Sequence, residues 1–323
     1  MADLPAEEYL TVYIDLWSTD GETSFVLSCA KSFSEAMATS TGKLLQTAKT
    51  FFSRLIPAVS VNADGKPVLT FGFDRKRPDM PLLEEVLAMP AKAAQKEDKR
   101  IVVVFDEFQQ ILEYESDTVE RLLRGSIRHQ PDVAYIFCGS RKHLIRQMLM
   151  DSRRPMYRSG EHYPLGLISE NHWQVFISEK FIETGKQIRS ETISELCSLT
   201  EKHPFYTQHL CHLLWELTET GGEVSGDMIP QAADLLLERE NYAFMNLWDV
   251  LTRNAKRLLK GVAAELAGTQ IFSAEFIRKY QLGSSSNVQR AADLLLRKDI
   301  LRKEETGMII PDRFFRLWIN SKQ

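Results

Sequence analysis

The chain has 323 residues, of which 44% are hydrophobic and 26% charged, the usage of an ordinary globular protein with room for two or three domains. Its 16 Gly and 12 Pro are too few for a collagen-like or low-complexity chain, and no apolar run approaches the ~20 residues of a membrane helix. The net charge of −4 hides a split, because residues 250–323 carry 14 Lys/Arg against 7 Asp/Glu while the remainder is acidic.

Such asymmetry fits a basic module that meets a polyanion, or one that docks on its own acidic body. The start MADLPAEEYL has no apolar segment of a secretory signal, so a soluble, cytoplasmic protein with no membrane partner is expected. Cys29, Cys138, Cys197 and Cys211 lack the close spacing of a zinc site and are expected to be buried free thiols.

Residues 9–17, YLTVYIDLW, are β-branched and aromatic and predict a strand. Apolar periodicity predicts helices over 22–40 and 41–56, and strands 59–62 and 67–73 flank a hairpin turn at Asp64-Gly65. After a helix over 81–95 comes the cleanest strand, Ile101–Phe105, which ends at Asp106-Glu107. A run apolar on both faces is the form of a buried parallel strand. A helix over 117–129, a second buried run at 133–138 ending in Gly139-Ser140-Arg141, a helix to about 150 and a strand at 162–167 complete an α/β alternation.

From Ser169 the pattern turns to helices only, over 170–184, 191–200, 204–219 and 227–246, with a break at Gly221-Gly222 and Gly226. A third pattern follows: helices 252–266, 273–280 and 286–298, a turn at Leu282-Gly283-Ser284-Ser285, and short strands at 300–303 and 308–310. That order of elements predicts a winged helix-turn-helix. The expected fold class is thus an α/β parallel sheet, then an all-α helical part, then a winged helix. The expected boundaries are 1–168, 169–248 and 249–323.

Ligands of open parallel sheets bind beyond the carboxyl ends of the strands. A buried strand that ends in Asp-Glu has the form of a Walker B segment, in which Asp106 orients Mg²⁺ or its water shell and Glu107 polarises an attacking water. Ser140, at the next strand end, would help position that water.

Several segments together carry a resemblance: YLTVYIDL (9–16), VVVFDEFQQI (102–111), YIFCGSRKHLI (135–145), Pro-Leu-Gly-Leu (164–167), EKHPFYTQHLC (201–211) and IIPDRFFRLWI (309–319). The chain resembles the prokaryotic P-loop ATPases of the AAA+/STAND group that end in a winged helix, the archaeal-ATPase type. The resemblance implies ATP and Mg²⁺ as cofactors, with nucleotide held between a P-loop core and a helical lid. It makes Asp106 the Mg²⁺-orienting carboxylate, acting through water, Glu107 the catalytic carboxylate, and Ser140 the sensor with Arg141 beside it. Lys202-His203-Pro204 resembles the Gly-x-Pro motif, so His203 and Pro204 would approach the base, with Lys202 where the family carries Gly. Arg153, Arg154 and Arg158 would face phosphate or form a solvated basic surface.

A Walker A loop, G-x-x-x-x-G-K-[ST], is the one missing part. Gly42-Lys43 is followed by Leu44, Gly65-Lys66-Pro67 falls in a hairpin turn, and Gly283-Ser284-Ser285 lacks a Lys. The resemblance places the loop before Met1, so an N-terminally truncated ATPase is expected ahead of a degenerate protein that binds nucleotide poorly. The strand at 133–138 would then present an unpaired edge and that at 162–167 would lose its neighbour.

The alternative function is a regulatory winged helix that contacts DNA or a protein, with Ser284, Ser285, Ser286, Asn287, Gln289 and Arg290 at the start of the second helix. Nuclease or protease chemistry finds no H-E-x-x-H or G-x-S-x-G motif. His209 and His212 flank Cys211 on a predicted helix as a polar face.

Overall fold

The computed structural model describes residues 4–37, 55–61, 67–73, 82–265, 270–304 and 307–322. They fall into two compact units, Met1–Pro164 and Leu165–Gln323.

The first unit opens with β1 (Tyr9–Asp15) and α1 (Glu22–Met37). The strand stops two residues short of the expected end because Asp15 folds back to accept the Trp17 N–H at 2.8 Å, a local bond that competes with the ladder. Most of the expected helix over 41–56 lies outside the described residues. Its last two positions are strand instead, since β2 spans Leu55–Val61 and pairs antiparallel with β3 (Pro67–Phe73). The Asp64-Gly65 turn lies outside the described residues. The helix expected over 81–95 is two helices, α2 (Leu82–Leu87) and α3 (Met89–Glu97). Pro90 explains the break: it has no N–H and is tolerated only in a first turn.

Next come β4 (Arg100–Asp106), a 3₁₀ turn (Phe108–Glu113), α4 (Thr118–Ile127), β5 (Val133–Phe137) and α5 (Lys142–Met150). The parallel sheet has the order β1-β4-β5. Its register sets Asp15 beside Asp106 and Phe105 beside Phe137. Both faces of the central strand are buried from Ile101 to Phe105, as the sequence predicted. The second run is different: Val133 is buried and Tyr135 and Phe137 are half-buried, but Ala134 and Ile136 are exposed. Phe25, Phe105 and Phe137 stack at centroid spacings of 5.8 Å, which fixes which face of β5 meets the core.

Among the described residues β5 pairs on one side only. The strand expected over 162–167 does not form, and Tyr163, Leu165 and Leu167 are 82%, 77% and 61% exposed. A strand needs a neighbour for its backbone groups, and this segment has none here.

The second unit contains α6 (Glu170–Glu183), α7 (Ser190–Leu199), α8 (Pro204–Leu217) and α9 (Met228–Asp249). It is not purely helical, because β6 (Gln187–Ile188) and β7 (Glu223–Val224) make a short parallel bridge. The winged-helix order follows as α10 (Arg253–Ala264), α11 (Ala274–Lys279), α12 (Ser285–Arg297), β8 (Arg302–Glu304), β9 (Gly307–Ile309) and α13 (Arg313–Ser321). Thr252, Ser273, Ser284 and Asp312 cap these four helices with side-chain oxygens, each satisfying N–H groups that have no helical partner. Leu196, Leu210, Leu258, Leu295 and Phe315 belong to one continuous core. No helix among the described residues is long and apolar enough to cross a membrane.

Candidate functional site

The rim at the carboxyl end of the parallel sheet is stitched by backbone bonds on both sides of β4. The Leu16 N–H donates to the Asp106 carbonyl at 3.2 Å, Cys138 N–H to Phe105 at 2.8 Å, and Phe108 N–H to Cys138 at 2.9 Å. These bonds carry the chain from strand into the 3₁₀ turn through Glu107, whose φ of 50° is left-handed. Non-glycine residues in that region are strained and are held there by their surroundings.

What holds Glu107 is visible around its carboxylate. The Ser140 hydroxyl donates to Oε2 at 3.0 Å, and the Gln109 side-chain amide donates to the same oxygen. Gln109 is only 3% exposed, and its Oε1 is buried with no donor among the described residues. That oxygen rests against Gly139, where an added Cβ would stand 2.2 Å from it and 2.8 Å from the Ile145 side chain. A side chain at 139 would have to push the Gln109 amide and the Ile145 side chain aside. The structure therefore brings Asp106, Glu107 and Ser140 together at one rim, with Gln109 as a further member that the motif DEFQ contained but that sequence reasoning passed over.

Asp106 is engaged twice. Its Oδ1 accepts the Glu107 N–H at 2.9 Å, and its Oδ2 accepts the Tyr13 hydroxyl from β1. That hydrogen bond pushes Tyr13 up to about 12, so the phenol stays a donor at neutral pH. A carboxylate oxygen has two lone-pair sites, which leaves Asp106 capacity for a hydrated cation. No group of three His, Cys, Asp or Glu suited to a metal occurs among the described residues. A cation here would take Asp106 and draw its other ligands from water and a bound phosphate, the pattern that Mg²⁺ favours. The carboxylate side thus fits Mg²⁺, whereas the sequence holds no G-x-x-x-x-G-K-[ST] cradle.

Arg141 turns to Glu113 at 3.3 Å instead of toward Glu107. The expected phosphate-facing arginines are engaged as well. Arg153 forks onto Asp151, holding that carboxyl down at about 2, and Arg154 pairs with the buried Glu120. Burial raises the Glu120 carboxyl, while the Met156 N–H at 3.2 Å and Arg154 support its charge. Arg158 lies over the Tyr157 ring. The basic surface is therefore largely paired on its own carboxylates.

In the second unit, Pro204 opens α8 and His203 is its cap residue. Lys202 has φ 58°, so the position where the resembled family carries Gly does adopt a backbone that favours Gly. His212 reaches Glu216 at 3.3 Å, and His209 packs edge-on to Phe205 and Phe314. All four cysteines are free, but only Cys29 and Cys197 are buried, while Cys138 and Cys211 are half-buried.

Residues 242–321 match a family model described as "Probable winged helix domain". No curated protein sequence matches the chain significantly. Among solved structures, the chain is similar to a Walker-type ATPase of Pyrococcus abyssi, with 16% identity and a TM-score of 0.59 over 96% of this chain and 84% of that one. It is also similar to the ORC2 protein of Aeropyrum pernix, solved as ADPNP and ADP complexes, with 12% identity and a TM-score of 0.52 over 98% of this chain and 80% of that one. The fold is an α/β parallel sheet like that of P-loop NTPases, followed by a mainly helical part with one short strand pair and a C-terminal winged helix.

Proposed function

We propose that the chain is an AAA-type ATP-responsive switch whose turnover is impaired by the lack of a Walker A sequence. The observation that carries this is the convergence of two strand ends, with Ser140 3.0 Å from the Glu107 carboxylate and Asp106 next in sequence. Bound Mg²⁺–ATP would supply a phosphoryl group already polarised for attack. Asp106 orients the water shell of the cation. Glu107, its carboxylate held by the Gln109 amide, accepts a proton from a water that Ser140 helps align. Arg141 must exchange Glu113 for a phosphate oxygen to take part, and His203 and Pro204 are assigned to the base. The similar architecture of the Pyrococcus and Aeropyrum proteins supports the nucleotide-binding reading, and the winged helix is assigned as the part that reports the bound state.

Titration of the whole chain with a fluorescent ATP analogue and Mg²⁺, alongside phosphate release, tests the proposal. Glu107→Gln should keep binding and lower turnover on the order of a hundredfold or more, the usual loss of a general base. Wild-type chain that binds no nucleotide at about 1 mM, where the free energy of binding is only ~4 kcal/mol, refutes it.

A further inference from the structure

The turn that leads into His203-Pro204 cannot hold its shape by itself. Helix α7 closes with the Lys202 N–H donating to Cys197 at 2.9 Å and the His203 N–H to Thr200 at 3.1 Å. To make those bonds, Glu201 and Lys202 both enter the left-handed region, with φ of 52° and 58°. Two consecutive L side chains in that region are doubly strained, and neither is Gly or Asn. Such a turn persists only where its surroundings over-determine it.

Those surroundings come from the far end of the chain. One oxygen of Glu201 lies 2.7 Å from Arg313 Nε, an ion pair without hydrogen-bond alignment, and the other accepts a hydrogen bond from Arg316. The two arginines stand three apart on α13 and so share one helix face. Arg313 is further fixed by donating to the carbonyls of Ile310 and Pro311 at 3.2 Å each. Arg313 and Arg316 side chains are only 14% and 29% exposed, unlike a solvated surface pair, which contributes little. The same segment grips the other side of the motif: Phe314 packs edge-on to Tyr206 at 4.7 Å, and the Tyr206 hydroxyl reaches Pro311 at 3.5 Å. Trp173 Nε1 adds a bond to the Lys202 carbonyl at 3.3 Å.

We propose that Glu201 is a positioning residue that ties the Lys202-His203-Pro204 turn to the last helix of the winged helix, so that the turn opens when α13 lets go and nucleotide bound at the turn stiffens α13 in return. The second half rests on the assignment of His203-Pro204 to the base, and the first half does not. The coupling is reciprocal, as any equilibrium linkage between two sites must be.

Hydrogen exchange on the full chain separates the two halves. Glu201→Gln should speed exchange of the Lys202 and His203 amides by about tenfold or more, the mark of a local opening, while the Leu196 amide within α7 stays protected and shows that the fold is intact. Arg316→Ala should do the same, the double variant should add nothing further, and Arg316→Lys should restore much of the protection. Unchanged exchange at 202–203, or strictly additive effects, overturns the role of Glu201. With a fluorescent ATP analogue and Mg²⁺, wild-type chain should show slower exchange over 313–321, and Glu201→Gln should lose that response with roughly tenfold weaker binding. If nucleotide binds equally well to both while the turn opens, the coupling is wrong. If nucleotide fails to bind wild-type chain, the proposed function falls and the amide exchange alone still decides what Glu201 does.

Discussion

Gly139→Ala is the smallest change that should dismantle the arrangement around Glu107. The new methyl group would meet Gln109 Oε1 at 2.2 Å and two carbons of Ile145 at 2.8 Å, so something has to move. Gln109 is the softer neighbour, and turning its amide away breaks the bond to Glu107. Forcing a methyl into a packed site costs about 1–3 kcal/mol, and a lost hydrogen bond to a charged group adds about 1.5–3 kcal/mol. Partial relaxation reduces the sum, so we expect the first unit to lose about 2–3 kcal/mol. Urea unfolding of that unit, followed by pulsed hydrogen exchange over residues 100–106, measures it without interference from the second unit. The decisive comparison is the same change in a Gln109→Ala background, where only the Ile145 overlap persists and the cost should drop below about 1 kcal/mol. A coupling of about 1–2 kcal/mol between positions 109 and 139 is therefore predicted. If Gly139→Ala costs under about 0.5 kcal/mol, or costs the same with and without Gln109, the contact does not constrain Glu107 and this account is refuted.

Lys202→Gly should stabilise the second unit by about 0.5–1 kcal/mol, because Gly adopts the left-handed φ of 58° without strain; thermal unfolding reads the gain, and a loss of stability contradicts it. Alkaline pH offers another check. Burial pushes the hydroxyls of Tyr114 and Tyr206 up to about 12, above the unfolded value near 10. The folded state thus keeps a proton that the unfolded state releases, so stability is complete below pH 10 and declines as pH rises from 10 through 12. Each tyrosine should account for about 1 kcal/mol by pH 11, and Tyr114→Phe should remove its share of the decline measured in urea at pH 9 and 11. An equally steep decline in that variant contradicts the assignment.

The parallel α/β order and the winged helix were legible because their signals are local. Ile101–Phe105 is apolar on both faces, and Thr252, Ser273, Ser284 and Asp312 stand immediately before the helices they cap. The placing of Asp106 and Ser140 at one rim was legible too, since two parallel strands must end on the same side. What the sequence withheld depends on partners far apart in the chain. Residues 162–167 have strand composition but no neighbour among the described residues, and composition cannot supply one. Ala134 and Ile136 look like core residues until β5 is found to pair on one side only. Arg153 and Arg154 read as phosphate ligands or a solvated surface because their carboxylate partners are not evident from spacing: Asp151 lies two residues away and Glu120 lies 34 away. Gln109 and Gly139 are ordinary residues in isolation, and only their contact gives them meaning.

The basic character of residues 250–323 divides along the same line. Part of it is internal, since Arg313 and Arg316 converge on Glu201 in the acidic part of the chain, Lys279 pairs with Glu265 at 2.5 Å, and Arg257 donates to the Gln281 carbonyl at 2.6 Å. Arg290 on α12 donates to Asn287 Oδ1 at 2.7 Å and to the Ser286 carbonyl at 3.4 Å on its own helix. Exposed basic side chains in this part still include Arg253, Arg278, Arg290, Arg297, Lys298, Lys303 and Lys322, and a polyanion would be met by these. Each phosphate neutralised by them would contribute its own increment of salt dependence. Arg313 and Arg316 act inward, where they hold a strained turn against the core of the second unit. The winged helix thus also braces the helices with which it shares a core.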